Sequence, residues 1–214
     1  MRILIFPGMG ATKAMYSGLL ALNSSIVGCD WPNACGNDDF IDLAKRCIDR
    51  YGICGNDVIA GCSMGGMVAS EIYKIANCKK LILIGSCMGP KSVPLHGLSL
   101  LGSKLFSERL FNLSSDLFPF GIARRSSLLT NPGFVKWSLN AFHRWNGCDG
   151  IDITNVKIIH GRFDPIIPIW TIKADVILNG GHLIALTHTK DVNHFINQSV
   201  AQQGDAPEPA SPAR

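Results

Sequence analysis

The stretch Asp57-Val58-Ile59-Ala60-Gly61-Cys62-Ser63-Met64-Gly65-Gly66-Met67-Val68-Ala69 decides the architecture. Val58, Ile59 and Ala60 form a short apolar run suited to a central parallel strand covered on both faces. From Gly65 onward the residues favour a helix: Met67, Ile72 and Ile75 recur near helical spacing, with Glu71 and Lys74 on the other side. Ser63 stands at the bend, with a glycine two residues before it and another two after. A side chain at such a corner projects from the carboxyl end of the sheet, and bare neighbours let strand and helix approach each other. The helix N-terminus then lies beneath the serine, with free N–H groups and the positive end of its dipole available to an oxyanion. The pattern is a place for a nucleophile. Gly-x-Ser-x-Gly is short enough to arise by chance, so its weight depends on the chain around it.

Toward the N-terminus, Arg2 to Phe6 predicts a first strand that ends in Pro7-Gly8-Met9-Gly10. A glycine loop directly after a strand can leave backbone amides facing a ligand. Met15 to Leu22 predicts a short helix and Ser25 to Cys29 a second strand. Asn37 or Asp38 caps a helix to about Tyr51, with Phe40, Ile41, Ala44 and Ile48 facing inward. Past the bend, the helix runs to about Ala76, and Lys80 to Ile84 forms the next strand, ending at Gly85-Ser86. Strands alternating with helices imply an α/β fold, a parallel sheet with helices on both faces. Reactive groups in such sheets collect at the carboxyl ends of the strands. Pro7–Gly10, Ser63 and Gly85-Ser86 all fall on that edge.

The alternation breaks over residues 87–150, where helical pieces are expected near 97–112, 114–123 and 132–145. Leu and Phe are frequent there, which predicts a helical cap with its apolar face turned over the site, excluding water and favouring apolar substrate groups. Lys104, Arg109, Arg124 and Arg125 are solvated, or form a docking patch for an acidic carrier protein. Asn155 to His160 resumes the sheet. Asp164 lies one turn past that strand, just before a proline that blocks an immediate helix. Ala174 to Leu178 predicts the last strand, followed at once by Asn179-Gly180-Gly181-His182, with His182 beginning a final helix to about Asn197. The expected organisation is a core of 1–86 and 151–200, a cap of 87–150, and a disordered Pro/Ala/Gln-rich tail of 201–214.

A chain of 214 residues, 47% hydrophobic and 17% charged, is one domain with room for a substantial core. A net charge of +4, scattered along the chain, is too mild for a nucleic-acid footprint. Residues 3–6 are a strand rather than a signal peptide, and no apolar run approaches membrane-spanning length, so the expectation is a cytoplasmic protein. The eight cysteines include no Cys-x-x-Cys and no Cys/His pair of zinc spacing; they read as reduced, small apolar fillers. His182, His188 and His194 recur every six residues, about 240° apart on a helix, and so share no face on which to hold a metal.

Ser63, Asp164 and His182 therefore stand, in that chain order, on one edge of one sheet. A serine hydroxyl is a poor nucleophile until an imidazole takes its proton, and the imidazole needs a carboxylate to hold its tautomer and stabilise its cation. His160 competes for the role of base; Asp175 and Asp191 are alternative acids, but one precedes a strand and the other lies in the last helix.

With these segments in place the sequence resembles the α/β-hydrolase fold superfamily. The matches are Gly61-Cys62-Ser63-Met64-Gly65 as nucleophile elbow, His160-Gly161-Arg162-Phe163-Asp164 with Pro168 as acid segment, and Gly180-Gly181-His182 as base segment. Pro7-Gly8-Met9-Gly10 looks like the family's oxyanion loop, which more often begins His-Gly. The resemblance implies a mostly parallel sheet cut to about six strands, since the chain opens on what would be the third. It implies Ser63, His182 and Asp164 as catalytic triad, with His160 fixing the acid loop. It also implies the backbone N–H groups of Met9 and Met64 as oxyanion donors. The expected activity is a serine esterase acting on a small-molecule carboxylic ester through an acyl-enzyme, with no metal or organic cofactor. Alternatives are an acyl-carrier-linked methyl ester or thioester hydrolase, of the kind that demethylates pimeloyl-carrier methyl esters in biotin synthesis, and a non-catalytic ligand-binding protein of the same fold. A lyase using the same triad is a further alternative.

Overall fold

The structure, a computed structural model, describes residues 1–34, 36–94, 96 and 132–201. The helical pieces expected near 97–112 and 114–123, with Lys104, Arg109, Arg124 and Arg125, and residues 202–214 of the tail lie outside the described residues.

Among the described residues there are six strands, β1 (Ile3–Phe6), β2 (Ile26–Gly28), β3 (Val58–Cys62), β4 (Lys80–Ile84), β5 (Val156–Gly161) and β6 (Val176–Leu178). They form one sheet in the order β2-β1-β3-β4-β5-β6, with every pairing parallel. The direction of the strand order reverses between β1 and β3, which is where α/β sheets open a crevice at their carboxyl edge. The register brings Phe6 opposite Gly61 and Cys62 opposite Ile84. Pro7, Ser63 and Gly85 therefore leave the sheet side by side.

The α-helices among the described residues are α1 (Ser17–Leu22), α2 (Phe40–Tyr51), α3 (Met64–Ala76), α4 (Pro132–Arg144), α5 (Ile184–Thr187) and α6 (Thr189–Ala201). Leu4, Phe6, Ile59, Leu81 and Leu83 pack with α2 and α3 on one face of the sheet. Ile3, Ile5, Ala60, Ile82 and Ile84 pack with α1, α5 and α6 on the other. With both faces covered, every residue of β1, β3 and β4 is buried, the reason these strands read as continuous apolar runs.

Four local expectations are corrected. The cap of α2 is Asp39 rather than Asn37 or Asp38; its carboxylate accepts from Ile41 and Asp42 N–H, and Asp42 completes a capping box. Starting at Phe40, the buried stripe is Phe40, Leu43, Ala44 and Cys47, while Ile41 is 41% exposed. In α3, Glu71 is buried and Ile75 exposed, because residues 64–73 of this helix are enclosed on all sides. The Glu71 carboxylate accepts the indole N–H of Trp145 at 2.7 Å, which satisfies it inside the core. The expected final helix is two helices, and His182 lies in the turn before them. The break falls at His188, where the Thr187 and Thr189 hydroxyls donate to the Leu183 and Ala185 carbonyls.

Helix α4 matches the third expected helical piece and is tied to the core by aromatic packing. Phe134 stacks on Trp31 with centroids 6.0 Å apart, and Trp31 lies 5.6 Å from Phe6 at the end of β1. The Trp137 indole donates to the Asp38 carbonyl at 3.2 Å.

Candidate active site

Ser63 joins β3 to α3 at φ 49°, ψ −125°, a conformation that side-chain-bearing residues rarely adopt. The strain turns its side chain out at the carboxyl edge while the chain doubles directly into a helix. Gly65 is required there: a Cβ at that position would run into the carbonyl oxygens of Phe6 and Pro7, so the end of β1 passes over bare backbone. On the other side, Gly8 lies against Ser63, with room for a Cβ 3.5 Å from that of the serine. Among the described residues, neither the Met9 nor the Met64 backbone N–H donates to a protein group. Cys62 beside the serine is buried, and burial pushes its thiol up to about 12, so it stays protonated at neutral pH.

Asp164 follows β5 and is buried. One carboxylate oxygen, Oδ1, accepts the backbone N–H groups of Ile166 and Ile167, each at 2.9 Å. The other, Oδ2, lies 2.7 Å from His182 Nδ1 and 3.3 Å from His160 Nε2. Burial alone would raise this carboxyl, but hydrogen bonds from His160 and His182, the His182 charge when that ring is protonated, and the Ile167 amide outweigh it and hold it well below the usual carboxylate range. His160 Nε2 donates to the Ile167 carbonyl at 2.7 Å, which clamps the turn carrying the aspartate.

His182 follows β6. Its Nδ1 donates to Asp164, which leaves Nε2 as the lone-pair nitrogen, and this lies 2.9 Å from Ser63 Oγ. The imidazole therefore bridges a buried carboxylate and a serine hydroxyl held on a strained turn. The arrangement can take a proton from the serine and return it to a leaving group. Ser63, Asp164 and His182 are thus brought together, and Asp175 is not among them. Its carboxylate accepts the Ile158 N–H at 2.7 Å and pairs with Lys157 at 3.5 Å. Sequence reasoning placed Ser86 on this edge without a role; its buried hydroxyl donates to the Ser63 carbonyl. The signal for it was the second glycine of Gly65-Gly66.

No protein-family model and no curated protein matches the sequence. Solved structures do match, at low identity. The chain is similar to a thermophilic esterase from Thermogutta terrifontis at 17% identity and a TM-score of 0.72, over 94% of this chain and 90% of that one. It is similar to an esterase from Exiguobacterium antarcticum at 15% identity and a TM-score of 0.69, over 94% and 92%. It is similar to an enol-lactonase from Burkholderia xenovorans at 11% identity and a TM-score of 0.69, over 94% and 91%. The chain has the α/β-hydrolase fold.

Proposed function

We propose that the protein is a serine hydrolase that cleaves a carboxylic ester through an acyl-enzyme. The observation that carries this reading is the pair of hydrogen bonds linking Asp164 to His182 at 2.7 Å and His182 to Ser63 at 2.9 Å. His182 Nε2 takes the hydroxyl proton as Ser63 Oγ attacks the ester carbonyl, and later gives it to the departing alcohol. Asp164 holds the imidazole in the required tautomer and stabilises its cation. The Met9 and Met64 amides, one from each side of the β1/β3 crevice, receive the tetrahedral oxyanion. Water then enters on the same base and releases the acid. Each of these steps uses groups that this chain supplies.

The esterases and the enol-lactonase of the same fold support an open-chain or cyclic ester as substrate. Residues 87–150 act as the cap; in support, a Cβ on Gly10 of the oxyanion loop would lie 3.0 Å from Val135 of α4. Among the described residues no helix is long and apolar enough to cross a membrane. The described cysteines are free and six of the seven are buried, which suits a reducing compartment such as the cytoplasm.

Intact-mass analysis after treatment with a small fluorophosphonate tests the reading. The expected result is one adduct, located at Ser63 and lost in Ser63→Ala and His182→Ala. A folded wild-type protein that takes no adduct would overturn it and leave ligand binding as the role of the crevice.

A further inference from the structure

We infer that Ser86 is a positioning residue that aims the Met64 N–H at the oxyanion through the Ser63–Met64 peptide. The inference rests on the serine-hydrolase reading. Ser86 follows β4 on the carboxyl edge and is fully buried. Its hydroxyl donates to the Ser63 carbonyl oxygen at 2.6 Å. A trans peptide is a rigid plate whose C=O and N–H point in opposite directions, and none of the described peptide bonds is cis. Fixing the Ser63 oxygen therefore fixes the line along which the Met64 N–H points.

The plate needs such a tether because Ser63 sits at a strained backbone conformation. The same oxygen receives Gly66 N–H at 2.9 Å and Met67 N–H at 3.3 Å, both from the first turn of α3. Of the bonds to this oxygen, only that from Ser86 comes from outside the helix, from the loop after β4; with the Ser63 N–H on the Ile84 carbonyl at 3.4 Å, it ties the elbow to the neighbouring strand's end. A donor on the carbonyl also polarises the peptide and strengthens its N–H as a donor. Gly66 gives an independent sign of the same contact. A Cβ there would overlap the Ser86 hydroxyl oxygen, so a helix-weakening glycine stands where this hydroxyl must pass.

The test compares wild type, Ser86→Ala and Ser86→Cys for turnover of a short ester, inhibition by a trifluoromethyl ketone, fluorophosphonate labelling and melting temperature. The ketone adds to Ser63 as a tetrahedral hemiketal whose oxyanion occupies the position under test. A direct oxyanion donor is worth about a hundredfold or more, and removing its support is expected to lower kcat about tenfold in Ser86→Ala. KM stays unchanged and ketone affinity falls by the same factor as kcat. Ser86→Cys, a similar shape with a weaker donor, falls between. A folded Ser86→Ala that labels at Ser63 with unchanged kcat and ketone affinity overturns the inference alone, as does a lowered melting temperature with unchanged kcat. Absence of both labelling and turnover in the wild type overturns the hydrolase reading and this inference with it.

Discussion

Ser63 is set between a strand and a helix whose residues 58–62 and 64–73 are all buried, whereas Asp164 and His182 stand on loops after the last two strands of the sheet. The edge strand β6 is three residues long, with Val176 and Ile177 exposed. Around Asp164 and His182, Phe163, Ile166 and Trp170 also face outward, Trp170 at 81% exposure. The two halves of the site reach comparable order by partly different means. Ser63 is placed by packing so close that backbone atoms leave no room for a Cβ at Gly65. Asp164 and His182 share such close packing, since a Cβ on Gly161 would overlap the Gly180 and Gly181 carbonyl oxygens. Their side chains are also aimed by hydrogen bonds, with Ile166, Ile167, His160 and His182 all converging on one carboxylate. Changes in proton donors should therefore act mainly on Asp164 and His182, and added volume at Gly65 on Ser63.

The largest expected effect comes from removing the hydroxyl that His182 Nε2 meets. Ser63→Ala is expected to lower kcat by a factor on the order of 10⁵ or more with the fold intact, checked by ester turnover alongside circular dichroism. Asp164→Asn comes next, at about 10⁴ in kcat, because an amide facing His182 Nδ1 disfavours the tautomer that accepts the serine proton. The same amide also faces the His160 Nε2–H, so a lower melting temperature should accompany the loss. Unchanged kcat in that variant would show that His182 does not depend on the Asp164 carboxylate.

Gly65→Ala sharpens the packing side. Its methyl group meets the Phe6 and Pro7 carbonyl oxygens, and the expected cost is about 3 kcal/mol, read from the urea midpoint. A variant as stable as wild type would show that the elbow is looser than its contacts imply. The smallest effect is on acid stability. The folded Asp164 carboxyl titrates below its unfolded value of about 4, so its stabilising contribution is complete above that pH and is lost as pH falls below it. Between pH 6 and pH 3 the melting temperature of wild type should fall more steeply than that of Asp164→Asn. Equal slopes would mean that the hydrogen bonds around the carboxylate contribute nothing net.

What was legible in the sequence follows the same division. The elbow could be read from thirteen consecutive residues, because a strand, a tight turn and a helix each leave short-range marks. The strand positions followed from apolar runs in a sheet covered on both faces. Glu71 was misplaced because periodicity assumes a solvent side, and α3 has none over residues 64–73. The cap of α2 moved from the expected Asn37 or Asp38 to the adjacent Asp39 because all three residue types can cap a helix, and only the geometry of the first turn selects among them. The break at His188 depends on hydroxyl back-bonding by two threonines, which a helical pattern does not reveal.

By itself the sequence determined the alternation of strands and helices, and which chemistry-bearing residues follow the strands Val58–Cys62, Val156–Gly161 and Val176–Leu178. These depend on turn sterics and side-chain period, which act over a few residues. Only the tertiary structure decided how closely Asp164 and Ser63 approach His182, that the Ser86 hydroxyl bonds the elbow carbonyl, and that Glu71 is matched by Trp145. His182 reaches a carboxylate 18 residues away and a serine 119 residues away. Contacts at such separations are set by the order and register of strands in the sheet, and no local pattern carries that information.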